Sequence, residues 1–414
     1  MRIFFSGPAR RRWRLRCGLL AVMLVATVGG FGSAAHGSPQ SPPRPCDIYA
    51  TGKAPCVAAY SAARALYSGY SGPLYQVQRA TDHALTDIGV TSVGGYADSG
   101  KQDRFCAATA CTVTKIFDQS PNHNDLVPQA PTTAIYSNHD YSHDGVDAAA
   151  LPITVAGHRA YGFKFVDSPP GNGPNPGDSK LCATGLLCST LTGYHGQAYN
   201  NGHIRARGVA VNGQPESVYG VFGGKYTGSN CCFDFGNSEI SGTDTGNGHM
   251  DALNFSRACW DACGPDGGPW VQADLENGMF MSGSTTERPE SVTAMFGGSS
   301  QSGHGFCCAA SKANTAMPYP FVTAMLENPG ARTFAIKGAN ANGGRLTTFY
   351  DGPTPPGPGY SPMQQEGAII LGSGGDQGTT EGEFFEGALT AGIPSAGAQA
   401  AVQADIAGVH YAMR

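Results

Sequence analysis

The feature that most constrains this chain is the punctuation of its second half. Five short apolar runs, Phe321–Leu326, Arg332–Lys337, Arg345–Tyr350, Ala368–Leu371 and Glu383–Thr390, are separated by Gly, Pro and Asn turns. Runs of this length, closed by turn residues at this spacing, read as strands of a β-sandwich. Leu74–Arg79, Cys111–Asp118, Tyr161–Val166 and Ser217–Phe222 read the same way. Two helices are expected beside them. Val57–Tyr70 places Ala58, Ala62, Leu66 and Tyr70 on one face and is closed by Gly72-Pro73, while Ser395–Met413 is capped by Ser395 and lined by Val402, Ile406 and Val409. With 59 Gly and 28 Pro in 414 residues, these two residues exceed their usual combined share of roughly 12%. They stay below the ~25–30% that marks disorder. The chain shows no βαβ alternation, internal repeat or heptad. The expected fold is therefore all-β and rich in loops. Asp167–Gly185 and Met281–Met317 are long for plain loops, so each is expected to be functional or pinned by a disulfide.

The first 37 residues read as a secretory signal. Arg10, Arg11, Arg12, Arg14 and Arg16 form a basic segment, Gly18–Phe31 an apolar one, and Ala35-His36-Gly37 a small-residue cleavage site. The apolar run is too short for a membrane span, and no later segment reaches the roughly 18 apolar residues one needs. A Pro-rich leader covers residues 38–45, and residues 46–414 have room for one large domain or two smaller ones. Removing residues 1–37 takes away six Arg and no acid, so the net charge moves from -5 to -11 (20 basic against 31 acidic residues). That balance argues against nucleic acid, which calls for a basic footprint, and suits a neutral substrate such as a glycan. Of 13 cysteines, Cys17 leaves with the signal. The even remainder falls in close pairs: Cys46/Cys56, Cys106/Cys111, Cys182/Cys188, Cys231/Cys232, Cys259/Cys263 and Cys307/Cys308. In an exported protein this is a disulfide framework, and local pairing is its simplest connectivity. Zinc at Cys259-x3-Cys263 is the rival, but no well-spaced Cys/His partner pair accompanies it.

The chemistry points to Trp270-Val-Gln-Ala-Asp274-Leu-Glu276-Asn277-Gly278. As a strand ending in an Asn-Gly turn, it puts Asp274 and Glu276 on one face. Adjacent acids repel, and a fold rarely places them together for stability alone. A sugar-cleaving site uses one as nucleophile and the other to grip hydroxyls; the plainer reading is a solvent-facing polar strand. A second carboxylate, Asp376, follows the run Ala368–Leu371 in the turn Gly372-Ser-Gly-Gly375-Asp376. Glycines there let backbone approach a ligand, although turn aspartates are common. Glu366, Glu386 and His249 are weaker candidates.

Cys231-Cys232 admits two readings. Neighbouring Cα atoms lie about 3.8 Å apart, closer than ordinary disulfides allow. A bond between the two therefore closes a strained ring, of a kind kept at binding sites. Otherwise each cysteine pairs elsewhere. Trp270 reads as core, and Trp260, among Cys, Asp and Gly, as a sugar-stacking residue. The chain has no Gly-x-Ser-x-Gly elbow, no His-Glu-x-x-His zinc motif and no P-loop.

These blocks together resemble one family. Cys46-Asp-Ile-Tyr, Arg64-Ala-Leu-Tyr, Pro73-Leu-Tyr-Gln-Val, Phe117-Asp-Gln-Ser, Cys231-Cys-Phe-Asp-Phe-Gly-Asn, Asp244-Thr-Gly-Asn-Gly-His-Met, Ala273-Asp-Leu-Glu-Asn-Gly and Glu366-Gly-Ala-Ile-Ile-Leu-Gly look like the catalytic domain of family 54 α-L-arabinofuranosidases, the arabinofuranosidase B type. The resemblance covers nearly all of residues 46–413. It implies a concanavalin-like β-sandwich with short helices and a C-terminal helix, stapled by disulfides. It also implies retaining hydrolysis with Glu276 as nucleophile and Asp376 as acid/base. A vicinal disulfide Cys231–Cys232 would pack on the sugar, with further contacts from Trp260, Asp274, Asn277 and the backbone at Gly375. Cys182/Cys188, Cys259/Cys263 and Cys307/Cys308 are additions to the family pattern, which leaves Cys46, Cys56, Cys106, Cys111, Cys231 and Cys232 as the implied disulfide cysteines. The excursions 167–216 and 281–317 are longer than the pattern, and the family's frequent C-terminal arabinose-binding domain is not expected here. The implied activity is that of a secreted, monomeric, exo-acting α-L-arabinofuranosidase. It would act on arabinan, arabinoxylan or arabinogalactan, with no cofactor, no metal, and no nucleic-acid or membrane partner. Two rivals are a non-catalytic glycan-binding sandwich and a glycosidase for a galactofuranoside or D-arabinofuranoside.

Overall fold

The turn-punctuated runs form strands, and the strands close into two facing sheets. The computed structural model describes residues 42–129, 132–133, 140–166, 193–229, 232–241, 248–258, 266–276, 279–282, 313–330, 332–354, 362–374 and 381–414. Ser41–Arg414 is one compact unit. The first sheet has seven strands. Its spatial order is Cys56–Ser61, Gly382–Ala391, Glu216–Phe222, Val322–Asn328, Thr333–Asn340 and Thr347–Pro353, with Phe163–Phe165 also pairing on Gly382–Ala391. The second also has seven: Met279–Phe280, Trp270–Asp274, Asp251–Ser256, Asp234–Ser238, Ala368–Leu371, Tyr199–Asn200 and Val127–Pro128. Every pairing in both sheets is antiparallel. Smaller sheets flank them, one built from Pro73–Arg79, Leu85–Gly89 and Cys111–Ile116.

Period-two alternation sorts the side chains. On Asp234–Ser238, Phe235 points inward to Phe384 of the first sheet, with centroids 5.1 Å apart. Phe222 stacks on Phe255 at 5.5 Å and meets Phe233 edge-on at 6.1 Å. These rings fill the space between the sheets. Gly387 is required there, because a Cβ would lie 2.5 Å from the Phe235 ring.

The other face of the first sheet is covered by α1 (Pro45–Thr51) and α3 (Ala396–Gly408); α2 (Ser99–Phe105) packs elsewhere. Ser395 caps α3 by accepting from the Ala398 N–H, and Val402, Ile406 and Val409 are buried, as the apolar spacing requires. Beneath α3 lies Arg64, fully buried. Its Nε and Nη2 donate to both oxygens of Glu386 at 2.6 and 2.7 Å, and its Nη1 donates to Asp405 of α3 at 2.7 Å. Tyr411 O–H donates to Glu386 at 2.5 Å. Glu386 is thus part of a buried ion network rather than a catalytic carboxylate.

The expected helix over Val57–Tyr70 is not formed. Cys56–Ser61 is instead a strand pairing with Gly382–Ala391, buried along its whole length. Small Ala58 and Ala59 suit a strand covered on both faces, and that packing overrides their helix propensity. The run Tyr161–Val166 is broken at Gly162 into two strands, His158–Tyr161 and Phe163–Phe165.

Two disulfides have both of their cysteines among the described residues, Cys46–Cys56 and Cys106–Cys111. The first ties α1 to the adjacent strand across a separation of 10 residues. Replacing Cys46 and Cys56 together by serine is expected to cost about 2.5–3 kcal/mol through loop-closure entropy. Chemical denaturation of oxidised wild type beside the double variant measures it. The pairs Cys182/Cys188, Cys259/Cys263 and Cys307/Cys308 lie outside the described residues, as does most of both long excursions. Among the described residues, no helix is long and apolar enough to cross a membrane.

Candidate active site

The outer face of the second sheet is polar, and the site is built on it. Alternation that sends Phe233, Phe235, Leu253, Phe255, Val271 and Ala273 inward sends Asp234, Asn254, Ser256, Gln272 and Asp274 outward. All five of these polar residues are nevertheless buried. Three of them form a hydrogen-bonded row across two strands. Ser256 O–H donates to Asn254 Oδ1 at 2.7 Å, and Asn254 Nδ2 donates to Asp234 Oδ1 at 2.6 Å.

At the end of this row sits the pair of acids. The strand stops at Asp274, two residues earlier than its sequence suggests. Glu276 does not continue the alternation; its φ is +54°, in the left-handed region that a non-glycine residue seldom occupies. Asp274 drives this turn, because its Oδ1 accepts the Glu276 backbone N–H at 2.9 Å. The Glu276 carboxylate is buried and accepts the His249 backbone N–H at 2.6 Å, with His249 Nδ1 3.7 Å from the same oxygen. An acidic side chain held in a rare backbone conformation and aimed by a backbone donor fits a reacting group better than a solvated surface charge. His249, expected as a base, lies at the site through its backbone N–H.

Cys232 is disulfide-bonded and buried, and its Sγ lies 3.6 Å from Asp274 Oδ2. Without a proton on that sulfur, this is a contact of a polarisable atom on a carboxylate. Ligand atoms of Cys232, Asp234 and Asp274 all lie within 4.8 Å of one another. A disulfide sulfur offers no thiolate for a metal. Two carboxylates alone fall well short of the six to eight oxygens a calcium ion takes. The group therefore reads as a polar wall for hydroxyl recognition.

The structure brings together Cys232, Asp274 and Glu276. Asp376, Cys231, Trp260, Asn277 and Gly375 lie outside the described residues. Trp270 is buried, with its Nε1 donating to Asp266 at 3.0 Å. Glu366 is spent on the Ile240 N–H at 2.9 Å. Sequence reasoning passed over Asp234 and Asn254. The signal for Asp234 was present in Phe233-Asp-Phe235, whose alternation puts the acid opposite two core rings.

The sequence matches the family described as "Alpha-L-arabinofuranosidase B, catalytic" over residues 45–186, 179–297 and 302–412. It is 42% identical over 371 residues to an α-L-arabinofuranosidase B of Emericella nidulans, covering 89% of this chain and 62% of that protein. It is 40% identical over 371 residues to one of Aspergillus oryzae, with the same two coverages. The fold matches the crystal structure of an arabinofuranosidase complexed with arabinofuranosyl-α-1,2-xylobiose, with a TM-score of 0.73 and 36% identity, over 90% of this chain and 66% of that one. A GH54 α-L-arabinofuranosidase soaked with a cyclic sulfate inhibitor matches equally well, with a TM-score of 0.73 and 36% identity, over 90% of this chain and 66% of that one. The chain thus spans about 62% of the length of the curated relatives it matches. With that match over most of its length, and with the sandwich and its acidic turn in place, the chain belongs to the family of α-L-arabinofuranosidase B catalytic domains.

Proposed function

We propose that this protein is a secreted, retaining, exo-acting α-L-arabinofuranosidase that removes terminal α-L-arabinofuranosyl units from polymers such as arabinan, arabinoxylan or arabinogalactan. The observation that carries the proposal is the buried Glu276 carboxylate, fixed by the His249 N–H and set beside Asp274 and the Cys232 sulfur. Glu276 attacks the anomeric carbon while the glycosidic C–O bond breaks, and Asp376 gives its proton to the leaving oxygen. Water then attacks the same carbon, gives a proton to Asp376, and frees Glu276. Asp274 and Asn277 bind sugar hydroxyls, the Cys231–Cys232 disulfide and Trp260 pack on the ring, and the Gly375 backbone contacts the sugar. The arabinofuranosyl-xylobiose bound by the similar arabinofuranosidase supports arabinose side chains on xylan as one substrate. Export is supported by the basic and apolar start of the chain and by the disulfides, and we expect the protein to act as a monomer.

Purified protein is expected to release p-nitrophenol from p-nitrophenyl α-L-arabinofuranoside. Asp376→Ala should slow this by ~10²–10⁴-fold, the usual worth of a general acid. Turnover only of the β-D-galactofuranoside or α-D-arabinofuranoside would reassign the sugar. Binding of arabinose-containing glycans with no turnover of any aryl furanoside would make the site a binding platform.

A further inference from the structure

Between the two sheets, away from the outer polar face, lie two carboxyls that the chemistry above does not use. Glu216 opens the strand Glu216–Phe222, and Asp251 opens Asp251–Ser256. Both are fully buried. Asp251 lies directly across the ladder from Asn237, whose Nδ2 holds the Glu216 carboxyl, and the two acids interact side chain to side chain. Both Asp251 oxygens are buried, and neither receives a hydrogen bond from another side chain or backbone group. We propose that Glu216 and Asp251 hold one proton between them, and that this shared proton joins the two sheets beside the segment that carries His249.

The surrounding groups define the arrangement. Asn237 Nδ2 donates to both Glu216 oxygens at 2.9 and 3.1 Å, and Gln365 Nε2 donates to Oε1 at 3.0 Å. Neither amide can turn round. Asn237 Oδ1 accepts the Gly367 N–H at 2.9 Å, and Gln365 Oε1 accepts the Gly213 N–H at 2.9 Å. A metal ion would want those amide oxygens, which face away, so the cluster is built for hydrogen bonds. Among the described residues, the groups facing the pair from neighbouring elements are the neutral amides Asn237, Asn328 and Gln365, and no cation is among them. Two anions buried in contact without a cation are untenable, and one proton resolves the conflict. With the proton on Glu216, its O–H donates to Asp251. The next turn of chain is tied in as well: Gln364 N–H donates to Gly248 O at 2.9 Å, and His249 follows.

Burial, then the neighbouring Asp251, push the Glu216 carboxyl well above its ordinary value of 4.5. Burial lifts Asp251 to about 6, with Asn328, Glu216 and Gln365 drawing it back. A carboxyl whose folded value is raised keeps its proton in the native state after the unfolded chain has lost it. Stability is therefore full below the unfolded value and falls as pH rises toward the folded one. One such proton lowers the folding equilibrium constant by up to tenfold per pH unit in that window.

The test is thermal and urea unfolding of wild type, Glu216→Gln and Asp251→Asn from about pH 5 to about pH 9. It reads folding alone, so its failure is separable from failure of the enzymatic reading. Glutamine at 216 supplies a permanent N–H where the proton sat. Glu216→Gln is expected to match wild type near pH 5 and to lose about one proton's worth of pH dependence above it, emerging more stable by tenfold or more near pH 8. Glu383, raised to about 7 chiefly by burial, titrates in both proteins and cancels in the difference. Asp251→Asn should also flatten the curve. Parallel pH slopes in wild type and the variants would overturn the proposal. So would failure of both variants to fold near pH 5, where an amide should replace the protonated acid without loss.

Discussion

Glu276→Ala is expected to lower kcat on p-nitrophenyl α-L-arabinofuranoside by ~10⁴–10⁶-fold, the range seen when a hydrolase that works through a covalent intermediate loses a catalytic group. The fold should survive, because Glu276 lies beyond its strand and takes part in no ladder pairing. The Asp274 Oδ1 contact to the residue-276 N–H does not need the Glu276 side chain. The void left by the carboxylate opens on the face from which the anomeric carbon is attacked, so a small anion such as azide should restore part of the rate. Glu276→Gln tests charge alone, since glutamine keeps the shape and loses the nucleophile. A fall of less than tenfold in both variants would mean that Glu276 does not form the covalent bond.

Arg64→Met is expected to be among the most destabilising single changes in the molecule, by about 3–5 kcal/mol. Glu386 is fully buried and takes its only cationic partner and two hydrogen bonds from the Arg64 fork among the described residues, so removing the guanidinium leaves a buried anion held mainly by the Tyr411 O–H. The same change leaves Asp405 with only the longer Arg44 contact at 3.9 Å among its ion pairs, and so loosens α3. Glu386→Gln with Arg64 intact should cost less, since one acceptor oxygen and the Asp405 partner remain. Urea unfolding of the two variants separates these costs. Equal and small losses would show that the network contributes little.

These two residues also show what sequence can carry. Glu276 stood out because its two-carboxylate motif is unusual in a strand, and a motif of that kind survives without knowledge of the fold. Arg64 did not, because Ala62-Ala-Arg-Ala-Leu66 has the composition of a helix. Only the pairing of Cys56–Ser61 with a strand more than 300 residues away makes it a buried ion. The antiparallel runs and the capped C-terminal helix were legible because period and punctuation are local. The contact of Glu216 with Asp251 was not, since it joins two strands from different sheets. Asp234 lay between: its place opposite Phe233 and Phe235 followed from alternation, but its closeness to Asp274 needed the intervening strand.

The proposed retaining mechanism requires a covalent bond between Glu276 and the sugar. Mass spectrometry of the Asp376→Ala variant, quenched after mixing with a dinitrophenyl α-L-arabinofuranoside, tests this most directly. That leaving group departs without acid help, while loss of the base slows release of the intermediate. One arabinofuranosyl unit attached to the protein, mapped to Glu276, is the predicted result. An adduct on another residue, or turnover with no adduct and first product in the β configuration, would contradict it.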